Sequence, residues 1–81
     1  MEKEITNFIE GFNTAKVTRF AKGHVYFTAT DFAAENIREE LRDHGINRMV
    51  TKLIGGEFKL PVKSAGHNDT SRWDALLKRK R

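Results

Sequence analysis

Ile46-Asn47-Arg48-Met49-Val50-Thr51-Lys52-Leu53-Ile54-Gly55-Gly56 is the stretch whose reading decides the fold. Ile46, Met49, Val50, Leu53 and Ile54 fall at i, i+3, i+4, i+7 and i+8, the spacing of one apolar face of a helix. The alternation that a half-buried strand requires fails at Met49-Val50 and again at Leu53-Ile54, so a helix over 46–54 is the preferred reading. The competing reading makes Gly55-Gly56 a hairpin turn joining Met49–Ile54 to Glu57–Val62, because a Gly-Gly pair between β-capable runs supplies the positive φ angles such turns need.

Upstream, Gly45 is a helix stop, and Phe32, Ala33, Ile37 and Leu41 share one face of a helix expected over about 30–44. Thr28 or Thr30 is available to cap it, and Asp31 favours its positive end. His24-Val25-Tyr26-Phe27-Thr28 is a short strand after a Lys22-Gly23 turn signal, and Val17 to Phe20 can pair with it as a hairpin. Ile5, Phe8, Ile9 and Phe12 define a first helix over about 2–14, which either ends at Asn13-Thr14 or runs on to Gly23. Downstream, Phe58, Leu60 and Val62 alternate with Glu57, Lys59 and Lys63 as a strand, with Pro61 marking an edge or bulge. Residues 63–70 have loop chemistry. Ser71–Leu77 returns as a strand or short helix anchored by Trp73, Leu76 and Leu77.

Helix, strand, two helices and a β-hairpin in this order make an α+β domain over 1–77, followed by a basic tail at 78–81. Eighty-one residues leave room for one domain, and at 38% hydrophobic content its core is thin. Phe8, Phe12, Phe32, Met49 and Trp73 are all needed in such a core. A homodimer associating through Phe8, Phe12 or neighbouring apolar residues would relieve the shortage. Without cysteine there is neither a disulfide frame nor a thiolate metal site, which fits a reducing compartment. No apolar run is long enough to span a membrane, and Met1–Glu10 carries acids where a secretory signal would be basic. A cytoplasmic protein with no membrane role is therefore expected.

The net charge of +4 is unevenly spread. Residues 1–45 hold 6 Lys/Arg against 8 Asp/Glu, and residues 46–81 hold 9 against 3. Concentrated positive charge draws polyanions, nucleic acid first among them, although a plain solvated face has the same composition. If 46–54 is a helix packed through its apolar stripe, Asn47, Arg48, Thr51 and Lys52 lie on its outer side. There Asn can bond adenine, Arg can bond guanine, and Thr can meet the thymine methyl. The alternative is that any outer helix face must be polar. Lys59, Lys63, Ser64, His67, Asn68, Arg72 and the tail Lys78, Arg79, Lys80 and Arg81 are then the phosphate contacts.

The order of elements resembles the winged-helix DNA-binding domain, a helix-turn-helix with a β-hairpin wing. Phe27-Thr28-Ala29-Thr30-Asp31-Phe32-Ala33 looks like its strand-to-second-helix entry, and 46–56 looks like a recognition helix and the glycine opening the wing. The resemblance covers about 5–77 and implies sequence-specific binding of double-stranded DNA by a small transcriptional regulator or a replication or recombination accessory.

Enzymatic chemistry finds no footing. His24, His44 and His67 are some twenty residues apart, Glu39 and Glu40 diverge on their helix, Gly55-Gly56 lacks a following Lys-Ser/Thr, and Ser64 and Ser71 have no evident base. No catalytic residue, metal, cofactor or small-molecule substrate is expected. Two other functions compete with DNA binding. One is a small protein-binding inhibitor module, which goes with the hairpin reading of 46–62. The other is a binder of RNA or single strands that stacks bases on Tyr26 and Phe27.

Overall fold

Thr30 starts the helix that organises the domain. In the computed structural model, which describes residues 2–62 and 75–77, its Oγ1 accepts the Ala33 N–H at 3.1 Å and caps α2, Asp31–Asp43. Before it come α1 (Glu2–Glu10), β1 (Lys16–Ala21) and β2 (His24–Thr28), and after it β3 (Thr51–Lys52) and β4 (Glu57–Pro61). The strands form one antiparallel sheet in the order β1-β2-β4-β3. The α+β class is as expected.

Lys22 and Gly23 both have positive φ, 53° and 77°, so the β1–β2 hairpin closes on a two-residue turn whose twist suits the strands it joins. The first helix stops at Glu10, and Thr14, at φ 74°, turns the chain toward β1. The Thr14 Oγ1 accepts the Thr30 N–H at 3.2 Å, which ties this turn to the cap of α2.

Both helices lie on one side of the sheet. Ile5, Phe8 and Ile9 of α1 and Ala34, Ile37 and Leu41 of α2 share a core with Val25 and Phe27 of β2 and Phe58 and Leu60 of β4. Phe27 and Phe58 are register partners whose rings stack with centroids 5.6 Å apart. Each such fully buried side chain contributes about 1.5–3 kcal/mol. Residues 75–77 are helical, and Leu76 and Leu77 join the same core. Among the described residues no helix is long and apolar enough to cross a membrane.

The expected helix over 46–54 is not formed, and the hairpin reading holds there. Residues 46–50 are without regular structure, 51–52 are β3, and Gly55 and Gly56, at φ 89° and 82°, turn the chain into β4. The cause begins at the end of α2. Gly45, at φ 76°, donates to the Arg42 carbonyl at 2.9 Å, and Ile46 donates to the Leu41 carbonyl at 2.9 Å. This is the two-bond Schellman closure, and it packs Ile46 onto the helix it has just ended. Side chains then alternate, with Ile46 and Arg48 buried and Asn47 and Met49 exposed. The apolar doublets mislead because Met49 is 74% exposed, Ile54 is fully exposed, and the inward position between Ile46 and Val50 is taken by a cation. The helix-turn-helix implied by the winged-helix resemblance requires a helix at 46–54, where this chain is irregular over 46–50 and then enters the short strand β3.

Two core expectations change as well, at Phe32 and Met49. Phe32 is 77% exposed, and Ala34 takes its place on the inner face of α2. Met49 is outside the core. Phe8 is fully buried, edge-on to Phe12 at 5.4 Å, so it is not available to a second copy of the chain. Trp73 lies outside the described residues.

Candidate nucleic-acid interface

The sheet face turned away from the helices is covered by no element among the described residues. Because register partners share a face, the inward positions Val25, Phe27, Phe58 and Leu60 put His24, Tyr26, Thr28, Glu57, Lys59 and Pro61 on the open side. On β3, Thr51 pairs with Lys59 and joins the open side, whereas Lys52 pairs with Phe58 and joins the helix side.

A β-bulge arranges β1. Val17 pairs with Phe27 and Phe20 with Val25, both inward, and the register shifts between Val17 and Arg19. Two residues, Thr18 and Arg19, therefore fill the outward interval, where regular alternation would allow one. The Thr18 hydroxyl donates to Glu57 Oε2 at 2.7 Å, with the Tyr26 carbonyl oxygen 3.1 Å away. Arg19 Nη1 donates to the same Glu57 oxygen at 3.1 Å, and its guanidinium lies over the Tyr26 ring, 4.0 Å from the centroid.

The registers align one transverse row across all four strands: Arg19, Tyr26, Lys59 and Thr51. At the usual strand spacing, Arg19 and Lys59 stand roughly 10 Å apart. A second row, Lys16, Thr28 and Glu57, runs beside it. Glu57 is the one acidic residue in the strands, and Arg19 and Thr18 already hold it.

The four residues expected to read bases do not share a surface. Thr51 is on the open face. Lys52 is on the helix side, its Nζ bonded to Asp31 Oδ1 at 3.0 Å. Asn47 is exposed beside α2. Arg48 is 5% exposed, its Nη1 donating to the Pro61 carbonyl at 3.0 Å, which makes it a fixed part of the fold and unable to reach a base edge. Of the expected phosphate contacts, Lys59 lies in the transverse row; Lys63, Ser64, His67, Asn68, Arg72, Lys78, Arg79, Lys80 and Arg81 lie outside the described residues. Of the two aromatic residues considered for base stacking, Phe27 is buried and Tyr26 sits mid-row beneath Arg19.

Lys16, Thr18, Arg19 and Thr28 escaped the sequence reading. Their signal was present in the spacing of Val17 and Phe20, two inward apolar residues three apart on one strand, which requires a bulge between them. No protein-family model, curated protein or solved structure matches the chain.

Proposed function

We propose that the protein binds double-stranded DNA across the open face of its sheet, as a non-enzymatic regulator or a replication or recombination accessory. The observation that carries this reading is a division of charge between the two layers. Of the nine carboxylates on described residues, eight are on α1 and α2, and the ninth, Glu57, is held by Arg19 and Thr18. The strands carry Lys16, Arg19, Lys52 and Lys59. A polyanion is therefore drawn to the sheet side and repelled from most of the helical side.

Strands are established readers of duplex grooves, and cations interleaved with hydroxyls suit phosphate oxygens and base edges together. Duplex is favoured over single strand because stacking platforms need open aromatic faces. Here the one aromatic of the row has a guanidinium across it.

The experiment compares Lys59→Ala and Arg19→Ala with the parent chain on duplex and single-stranded DNA at several salt concentrations. Each cation removed should lower the magnitude of the salt slope on duplex by about one unit. Unchanged slopes in both variants would count against the reading.

One observation favours a second reading. Ile54 is fully exposed at the tip of the β3–β4 hairpin, an apolar anchor of the kind a protein-binding inhibitor module would present. Ile54→Asp would abolish binding to a protein target and leave duplex binding intact.

A further inference from the structure

A groove of about 320 Å³ lies between the second half of α2 and segment 46–49, lined by Arg38, Arg42, Ile46, Asn47, Arg48 and Met49. Three of the six are arginines and none is acidic. Arg38 and Arg42 are one helical turn apart on the same face of α2, where like charges repel. Arg48 is brought beside them by the alternation that follows the Schellman closure.

Two of the guanidiniums are already oriented. Arg38 bonds both carboxylate oxygens of Glu35, through Nε and Nη2, and this pairing holds the Glu35 carboxyl below its usual range. Arg48 is anchored through Nη1 to the Pro61 carbonyl and is nine-tenths buried. Arg42 makes no ion pair with a described residue and is exposed. The helix C-terminus nearby would oppose an anion, but the carbonyls of Leu41 and Arg42 accept from Ile46 and Gly45 and are directed at those amides.

We propose that this groove is a binding site for a phosphate group, with Arg38 and Arg42 as charged donors, the Asn47 amide as a neutral one and the buried Arg48 adding positive charge to the wall. Planar guanidinium forks arriving from several directions match the oxygens of a phosphate better than the two coplanar oxygens of a carboxylate. The volume exceeds what a bare phosphate fills, and Ile46 and the exposed Met49 form an apolar wall for whatever the phosphate is attached to. The phosphate comes either from a nucleic-acid backbone or from a free phosphorylated small molecule. The site stands on different residues from the sheet-face reading and does not depend on it.

The test uses the full chain and records amide shifts during titration with inorganic phosphate at constant ionic strength, then with a nucleoside monophosphate, then with a short duplex. Saturable shifts grouped at residues 38, 42 and 46–49 are expected with phosphate. Arg42→Ala, an exposed position whose loss leaves the core alone, should weaken binding about tenfold, and Arg38→Gln similarly. Lys59→Ala on the sheet face should leave phosphate binding unchanged. Monophosphate binding tighter than inorganic phosphate, with duplex affinity unaltered in Arg42→Ala, identifies a free phosphorylated ligand. Weaker duplex binding in Arg42→Ala identifies a backbone phosphate. Shifts that scatter over all basic residues without saturating, or equal phosphate affinity in Arg42→Ala and the parent, would overturn the proposal even if Lys59→Ala bears out the sheet face.

Discussion

Arg48 joins the segment after α2 to the end of β4 through a charge-assisted bond to the Pro61 carbonyl, and it does so from inside the domain. Truncating it removes that bond and the packing of its aliphatic stem, so Arg48→Ala should destabilise the fold by about 1–3 kcal/mol. Asn47→Ala, one residue away and exposed, should change stability by less than about 0.5 kcal/mol. Urea unfolding of the two variants checks the pair; equal midpoints would show that the guanidinium is not structural. Arg48 also explains why the spacing of 46–54 points to a helix. Polarity assigns a cation outward and methionine inward, and here both are inverted, since Arg48 finds a carbonyl inside and Met49 stands in solvent. With those two exchanged, a strand period of two looks like a helical one. Phe32 shows the same limit on α2: hydrophobicity alone did not say whether Phe32 or Ala34 faces the core.

At the scale of elements, the turns were the legible part. Lys22-Gly23, Gly45 and Gly55-Gly56 were each readable as breaks from their conformational chemistry, and all three carry positive φ. What the glycines did not reveal is which partner the chain takes after the break, because that is decided by the non-local pairing of β4 with β2. Lys22 sits at φ 53° at a cost that asparagine does not incur, so Lys22→Asn should raise stability by up to about 1 kcal/mol, a few degrees in melting temperature. Gly45→Ala forces a Cβ into the left-handed region and loosens the Schellman closure, at a cost of about 1–2 kcal/mol. Melting curves of both variants test the assignment, and a stabilised Gly45→Ala would contradict it. The bulge at Thr18 was legible in principle from Val17 and Phe20, and it puts Arg19 over Tyr26.

For the whole molecule, the two layers divide charge between them. The helical layer closes the core and carries most of the acids, and the sheet turns a basic, hydroxyl-rich row outward. Sequence position hid this arrangement. The basic half begins at residue 46, yet two of the open-face cations, Lys16 and Arg19, come from the acidic half and reach the site only because β1 pairs with β2, which pairs with β4. The most direct test of the central claim is amide and side-chain shift mapping of the full chain as a duplex is added at low salt. The account predicts that Arg19, Tyr26, Thr51 and Lys59 shift together, with Lys16 and Thr28 beside them, and that shifts diminish as salt is raised. No shifts in that row, or shifts confined to the hairpin tip around Ile54, would contradict it.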